Sequence, residues 1–441
     1  MARVIICATP FYGHVAPMRT IAADLVARGH DVTFLTGSAF RESVERTGAA
    51  FAPLGGRADF DLATVDSTER DALEPGPAMI EWDMRHVFVG PLADQYLALR
   101  RLLDEAGSEP VIVLSETMFM GTAPFQLGAP GPKPTAVVGI GVLSFGLMSE
   151  DVAPFGMGLP PDSSEEGRER NRAANAFMRE QMLGTPQREY EAMLAELGVT
   201  GEIPYFLDAL ILETDRFLQL SIEELSYHRT DTPDHVEFVG RVPSVVPAGT
   251  ALPAWWDEVL AAENVVVVTQ GTLANKDLSA LIEPTLAALA DLPVLVLAAI
   301  GRDVEGELRD VPANVRVAEF VPFDDLLPHA NVLVTNGGFG AVQQSLSHGT
   351  PLVLAGQTED KLENNVRTAA TGAAINLATD NPAPEDIRKA VEAVLTSPDY
   401  RRNAERLAQE YAKFDALDAV ARTVDEFAAV AGTTAGAVAG A

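Results

Sequence analysis

The feature that most constrains the fold is a repeated order of apolar run, Gly- or Pro-containing turn and helical pattern. At the start of the chain, an apolar run at residues 4–8 precedes a turn-rich stretch at 9–17, helical spacing at 18–26 and a second apolar run at 31–36. This order is that of a βαβ unit, in which a helix joins two parallel strands. The sequence therefore predicts an α/β protein with parallel sheets.

The first half contains two further predicted strands, at residues 111–114 and 135–139. The same order restarts in the second half of the chain, where strands are predicted at residues 265–269, 293–298, 315–318, 332–335 and 351–354. The runs at 265–269 and 332–335 are continuously apolar, which is typical of strands buried on both faces of a parallel sheet. The predicted architecture is two Rossmann-like, doubly wound lobes with an interdomain cleft.

Residues 240–253 are rich in Pro and Gly and separate the two blocks. The predicted divisions are a first Rossmann-like domain at 1–240, a linker at 241–254 and a second Rossmann-like domain at 255–410. A C-terminal helix and flexible tail at 411–441 are predicted to pack back toward the first domain.

Charge and cysteine content exclude several classes of partner. The chain has 32 Lys and Arg against 63 Asp and Glu, a net charge of −31 that disfavours nucleic acid and anionic membranes. A phosphate ligand would therefore need backbone donors and a helix dipole.

The single cysteine, Cys7, excludes an intramolecular disulfide. No signal peptide precedes the first apolar run and no apolar stretch reaches about 18 residues, so a cytoplasmic protein is predicted.

Two polar residues follow strands of the first half. Ligands of open α/β sheets bind outside the carboxyl ends of the strands, where His14 and Glu116 are expected. His14 is suited to act as a general base, or it makes only a local hydrogen bond at the start of the helix. A carboxylate at Glu116 would fix the tautomer of His14 and stabilise its imidazolium; the alternative is a solvated loop residue.

Two glycine-containing turns follow strands of the second half. Gly271 and Thr272 end the run VVVVTQGT, and Gly337, Gly338 and Gly340 precede a helical pattern. Backbone N–H groups and a helix dipole at such turns suit phosphate oxygens, although each turn alone also fits a generic strand-to-helix connection. No cluster of His, Asp and Glu has metal-ligand spacing.

Four motifs together carry a family resemblance: GHVAP at 13–17, VEFVGRVP at 236–243, VTQGT at 268–272 and the segment 320–365. On these motifs the chain resembles the family 1 glycosyltransferases of the GT-B fold, especially bacterial enzymes that glycosylate natural products such as macrolides. The resemblance covers the chain from the first strand to about residue 430.

The resemblance implies a metal-independent, inverting hexosyltransferase that moves a sugar from a UDP- or dTDP-sugar to a small acceptor. The acceptor hydroxyl would belong to an apolar, aromatic or polyketide-like molecule bound by the first domain. His14 would be the base, and Glu116 takes the position of the family's aspartate. The nucleotide sugar is a co-substrate held by the second domain, and no other cofactor is implied.

The resemblance also implies which residues bind each substrate. Phe320 would stack on the base, Val321 would offer it backbone hydrogen bonds, and the turns would hold the diphosphate. The implied donor residues are Gly271, Thr272, Phe320, Val321, Asn336, Gly337, Gly338, Gly340, Ala341, Gln344, Asp360 and Lys361. The acceptor candidates, of which a fraction should line the site, are Phe11, Tyr12, Met79, Trp82, Phe88, Phe119, Phe145 and Met148.

Three positions depart from the family pattern. Asn336 replaces His, Gln344 replaces Glu, and Asp360–Lys361 replaces Asp–Gln. Lys361 either enters the sugar site, which disfavours glucose, or turns away and pairs with Glu363 or Asp360. These departures leave two alternatives open: a non-catalytic nucleotide-sugar-binding partner protein, or another GT-B enzyme such as a nucleotide-sugar epimerase or a lipid glycosyltransferase.

Overall fold

A computed structural model describes residues 1–61, 67–74, 76–244, 250–271, 277–302, 308 and 311–439. Within them, the first lobe has a seven-stranded parallel sheet in the order β3-β2-β1-β4-β5-β6-β7. Its strands are β1 (Arg3–Cys7), β2 (Asp31–Thr36), β3 (Ala50–Pro53), β4 (Val111–Glu116), β5 (Ala136–Gly141), β6 (Arg216–Gln219) and β7 (Val236–Phe238). The order reverses between β1 and β4, which is the topological switch point of a doubly wound sheet.

Helices cover both faces of this sheet. They are α1 (Tyr12–Ala27), α2 (Arg41–Glu45), α3 (Thr68–Asp71), α4 (Pro77–Asp83), α5 (Leu92–Ala106), α6 (Ala123–Gln126), α7 (Glu165–Phe177), α8 (Gly184–Glu196) and α9 (Phe206–Leu212). Along β1, Ile5 and Cys7 enter one buried apolar cluster, whereas Val4 and Ile6 enter the cluster on the opposite face. Because side chains alternate across a strand, a core on both faces requires the continuous apolar run seen in the sequence.

The second lobe repeats this plan. Its described residues form a six-stranded parallel sheet in the order β10-β9-β8-β11-β12-β13. The strands are β8 (Val265–Thr269), β9 (Leu295–Ala299), β10 (Val315–Ala318), β11 (Val332–Thr335), β12 (Leu352–Leu354) and β13 (Ala374–Asn376). The helices are α10 (Trp256–Ala261), α11 (Ile282–Leu289), α12 (Phe323–Leu326), α13 (Phe339–Ser347), α14 (Lys361–Ala370), α15 (Pro384–Thr396), α16 (Pro398–Tyr411) and α17 (Ala416–Ala439).

The last helix returns to the first lobe. Ala416, Val420 and Val424 of α17 are buried in the same cluster as Val15 and Met18 of α1. The backbone of α17 remains helical to residue 439, so it continues past position 432, where the sequence predicts a flexible tail.

The predicted α/β fold with two Rossmann-like sheets is confirmed. Strands β3, β6, β7 and β13, of three or four residues each, lie outside the predicted runs. In the part of the chain that the structure describes, no helix is long and apolar enough to cross a membrane.

Candidate active site

A histidine and a glutamate meet at the switch point of the first sheet. β1 leads into α1, whose first turn contains His14, and the adjacent β4 ends at Glu116. The Nδ1 atom of His14 lies 2.9 Å from Oε2 of Glu116. The carboxylate, 1% exposed, also accepts the backbone N–H groups of Thr9 at 3.0 Å and Met118 at 2.8 Å. The longer glutamate side chain, in place of the family's aspartate, therefore still reaches the imidazole.

These contacts decide the protonation state of the carboxylate. Burial raises the pKa of Glu116, but the His14 imidazole and the hydrogen bonds from His14, Thr9 and Met118 outweigh burial, and the pKa lies below its usual value. An ionised carboxylate at Nδ1 requires the hydrogen of the neutral imidazole to be on Nδ1. The other ring nitrogen, Nε2, is then the atom of His14 that can accept a proton.

Aromatic rings surround this pair. The Phe11 ring centroid lies 5.3 Å and the Phe88 centroid 6.4 Å from that of His14, and the two phenylalanine rings stack at 5.6 Å. Phe60 contacts Phe11 edge-on at 5.5 Å. His14 is only 8% exposed, so its ring lies in an apolar, nearly enclosed environment. Phe60 is absent from the sequence-based set, because it lies seven residues after β3, a strand that the sequence did not predict.

The other acceptor candidates occupy different environments. Tyr12 is 47% exposed at the start of α1, and Trp82 stacks on His86. Met79 and Met148 are partly buried. The side chains of Phe119 and Phe145 are buried in core clusters of the first lobe. Apolar residues close to a sheet edge can point into the core, and sequence position does not reveal which way they point.

The switch point of the second sheet lies between β8 and β11 and is built mainly from backbone. Gly271 follows β8 with a φ of +74°, and Thr272, a predicted phosphate ligand, lies outside the described residues. Asn336 follows β11, and its side-chain Nδ2 donates to the Gln270 carbonyl oxygen at 2.6 Å. One amide therefore joins the two turns that the sequence singled out.

The turn before α13 requires glycine at one position and offers open space at others. Gly337 has a φ of +94°, and a Cβ there would lie 1.7 Å from Oδ1 of Asn365. At Gly338 and Gly340, in contrast, a Cβ would meet no atom within 4 Å. Backbone N–H groups at the start of a helix lack partners within that helix, so this open end of α13 is suited to bind an anion.

Phe320 and Val321 follow β10 and point in opposite directions. The Phe320 side chain is 49% exposed, whereas Val321 is buried in the core of the second lobe. An exposed aromatic ring beyond the carboxyl end of a strand can stack on a planar ligand. Val321 can contribute only backbone groups to such a ligand.

Gln344, on α13, is held by a polar network. Its Nε2 donates to Oγ of Ser244 at 2.9 Å and to Oδ1 of Asp324 at 3.1 Å. Asp324 also accepts hydrogen bonds from Arg241 and pairs with His348. Burial raises the pKa of Asp324, but these partners outweigh burial and hold the pKa far below its usual value. Oε1 of Gln344 is the atom of this amide that can accept a ligand hydroxyl.

Asp360 and Lys361 begin α14. Asp360 accepts Nδ2 of Asn364 at 2.8 Å, and burial raises the pKa of its carboxyl group. Lys361 is buried and its ammonium bonds the carboxylate of Glu359. Lys361 therefore bonds neither Glu363 nor Asp360, the two partners expected for a side chain turned away from the site; Glu359 itself has a positive φ. Within the described residues, no three His, Cys, Asp or Glu side chains are placed to hold a metal.

A side-chain contact joins the elements that carry the two sites. Ser144, in the loop after β5 of the first lobe, donates to Asn364 of α14 in the second lobe at 2.6 Å, and Asn364 in turn donates to the Gly337 carbonyl oxygen at 3.2 Å. The loops beyond the carboxyl ends of the two sheets are therefore in contact, one sheet carrying the His14–Glu116 pair and the other the glycine turn before α13. Two Rossmann-like lobes joined in this way are the architecture of the GT-B nucleotide-sugar transferases.

Comparison with known proteins identifies the family. Residues 283–426 match the family described as erythromycin biosynthesis protein CIII-like, C-terminal domain. UDP-glycosyltransferase 2 of Phaeomoniella chlamydospora is 42% identical over 440 residues, covering 97% of this chain and 96% of that protein. The 4'-demethylrebeccamycin synthase of Lentzea aerocolonigenes is 38% identical over 422 residues, covering 95% and 98%. The chain belongs to the family 1 glycosyltransferases.

A solved structure agrees with the fold. The glycotransferase of kitacinnamycin has a TM-score of 0.72 at 23% identity, covering 97% of this chain and all of that one. The chain is thus a glycosyltransferase that uses nucleotide sugars. The bacterial subgroup stays a prediction, since the more similar of the two relatives named above is fungal.

Proposed function

We propose that this enzyme transfers a sugar from a UDP-sugar to a hydroxyl group of a small aromatic or polyketide-like acceptor, with inversion at the anomeric carbon. The observation that carries the proposal is the buried His14–Glu116 pair, 2.9 Å apart, beneath a cluster of phenylalanine rings. A base in apolar surroundings suits an acceptor that has an apolar body and a single reacting hydroxyl.

In the proposed step, Nε2 of His14 takes the proton of the acceptor hydroxyl as its oxygen attacks the anomeric carbon. A new carbon–oxygen bond forms while the bond from that carbon to the diphosphate oxygen breaks, so a single displacement inverts the configuration. Glu116 stays ionised and stabilises the imidazolium that results. The second lobe stabilises the negative charge that develops on the diphosphate.

The second lobe would bind the donor without a metal ion. The turn from Gly337 to Ala341 and the start of α13 offer N–H groups and the positive end of a helix dipole to the diphosphate. Phe320 would stack on the base, and Asn336, Gln344 and Asp360 would bind hydroxyl groups of the donor. UDP is favoured over dTDP as the nucleotide because the relative with 42% identity is named a UDP-glycosyltransferase.

Incubation with UDP-glucose and a panel of phenols and polyketides tests this function. Mass spectrometry is expected to detect a mono-glycosylated product, and the anomeric proton coupling is expected to report a β-linkage from the α-linked donor. Retention of the α configuration would refute the single displacement. Tight UDP binding with no transfer to any acceptor would favour a non-catalytic role, and a changed donor sugar in a donor-only reaction would favour an epimerase.

A further inference from the structure

One amide of α14 connects the two lobes. Oδ1 of Asn364 accepts the hydroxyl of Ser144 from the first lobe at 2.6 Å, and both side chains are buried. Nδ2 of the same amide lies 2.8 Å from Oδ2 of Asp360 and 3.2 Å from the carbonyl oxygen of Gly337. Asn364 therefore holds the first lobe, the start of α14 and the glycine turn in one hydrogen-bonded group.

A buried ion pair flanks Asn364 on the same helix. Oε1 of Glu363 accepts Nε of Arg367 at 2.8 Å, and each residue is 2% exposed. Oε2 of Glu363 accepts the backbone N–H groups of Gly156 at 3.3 Å and Gly158 at 2.9 Å, both in the first lobe. Arg367 Nη1 donates to the Phe145 carbonyl oxygen at 2.8 Å. Because an ion pair removed from water needs its remaining hydrogen bonds satisfied, this pair depends on the first lobe.

Shape complementarity accompanies these polar contacts. The guanidinium of Arg367 lies 5.5 Å from the ring centroid of Phe155 and 5.4 Å from that of Tyr227, both in the first lobe. Gly158 has a φ of +59°, and a Cβ there would lie 2.7 Å from Leu362 of α14. The close fit leaves little room for α14 to slide against the loop of residues 144–158.

This loop is tied to the strand that carries Glu116. Thr117, the next residue, donates its hydroxyl to the Ile140 carbonyl oxygen at 3.0 Å and accepts the Val142 N–H group at 3.3 Å. Ser144 lies two residues after Val142. The backbone after Glu116, the Thr117 hydrogen bonds and the loop to Ser144 thus connect the His14–Glu116 pair to Asn364, which bonds the glycine turn.

We propose that Ser144, Asn364 and the Glu363–Arg367 pair are positioning residues that set the distance between the His14 base and the diphosphate-binding turn. The proposal rests on the function proposed above. Ser144 touches neither a reacting group nor one of the proposed donor-binding residues, so its loss should leave donor binding intact and lower the rate of transfer. A loosened gap should also admit water, which competes with the acceptor for the donor sugar.

Ser144→Ala is the mildest test, because it removes one hydroxyl from the interlobe contact. We expect the kcat for transfer to fall about tenfold, since a misplacement of about 1 Å can cost about 100-fold. The Kd for UDP, measured by calorimetry, should stay within about twofold, and the ratio of hydrolysed to transferred donor should rise. Ser144→Thr, which keeps the hydroxyl, should restore transfer. The matched control is Thr285→Val, which removes a buried hydroxyl that bonds the Leu281 carbonyl within the second lobe.

Two outcomes would overturn the inference: unchanged transfer and hydrolysis in Ser144→Ala, or a loss of UDP affinity as large as the loss of transfer. The second outcome would mean that α14 only supports the donor lobe. Should Ser144→Ala fail to fold, Ser144→Cys keeps a group of similar size, weakens the hydrogen bond and is judged by the same two measurements. Absence of transfer by the wild-type enzyme would instead refute the proposed function itself.

Discussion

The two lobes reverse their strand order in the same way but carry opposite kinds of chemistry at the reversal. Between β1 and β4, the first lobe places a titratable pair, His14 and Glu116. Between β8 and β11, the second lobe places glycines with positive φ and the start of a helix. The same topological position therefore carries titratable side chains in one lobe and the backbone N–H groups of a helix start in the other, and the residues rather than the topology make the difference.

The two sites also differ in how deeply they are buried. The first is enclosed by phenylalanine rings and its carboxylate is almost fully buried, whereas the second leaves open space above Gly338 and Gly340. Substitutions in the first site should therefore change turnover, and substitutions in the second should change donor binding. The predictions below test this division, from the largest effect to the smallest.

His14→Ala should lower kcat by about 1,000-fold, because general-base catalysis contributes about 10²- to 10⁴-fold. The Kd for UDP should be unchanged, since the imidazole lies in the other lobe. Steady-state kinetics and calorimetry measure the two quantities, and circular dichroism verifies folding. The control is His228→Ala, at a side chain that is 87% exposed. Turnover of His14→Ala within about tenfold of wild type would remove His14 from the mechanism.

Gly337→Ala should weaken UDP binding by at least about tenfold, because the new methyl group conflicts with Asn365 and a positive φ is unfavourable for alanine. Gly201→Ala is the control, since a Cβ there meets no atom within 4 Å and the glycine is outside both sites. Calorimetric titration with UDP measures the effect. Equal UDP affinity in the two variants would show that the turn does not hold the diphosphate.

Glu116→Gln should lower the free energy of unfolding at pH 7 by about 1.5–3 kcal/mol, the usual value of a hydrogen bond to a charged group. The pKa of Glu116 is lowered by folding, so the ionised carboxylate stabilises the protein above its ordinary pKa of 4.5. That contribution is lost as the pH falls through the lower pKa of the folded state. Urea unfolding at several pH values between 3 and 7 should show the variant and wild type converging at low pH; a constant difference would contradict the assigned protonation.

Treatment with EDTA should leave turnover unchanged, which is the smallest effect expected. The charge of the diphosphate would be met by N–H groups and the dipole of α13 rather than by a cation. Initial rates before and after chelation, and after addition of Mg²⁺, measure the effect. Activity that falls with EDTA and returns with Mg²⁺ would contradict a metal-independent reaction.

The switch points could be located from the sequence because parallel strands present their carboxyl ends at one edge. That rule brings His14 to Glu116 although 102 residues separate them, and it identifies the turn at Gly337. This rule does not predict contacts between the lobes. Ser144 and Asn364, 220 residues apart, lie on different sheets, and only the packing of the two lobes brings them together.

The direction in which a side chain points could not be predicted from the sequence either. Phe11 and Phe119 are both aromatic residues that closely follow a strand, yet Phe11 stacks beside His14 and Phe119 fills the core. Lys361 could be expected at the sugar site or paired with neighbours, but its partner Glu359 depends on an unusual backbone conformation that composition does not signal. Periodicity predicts elements, whereas orientation in turns depends on the tertiary structure.

A structure of the enzyme with UDP and a glycosylatable phenol would show whether the two sites act on one reaction. We expect the phenol hydroxyl within about 3 Å of Nε2 of His14, the range for proton transfer. We expect the diphosphate at the N–H groups that begin α13. A diphosphate bound elsewhere, or a phenol hydroxyl out of reach of Nε2, would refute the assigned roles of the two lobes.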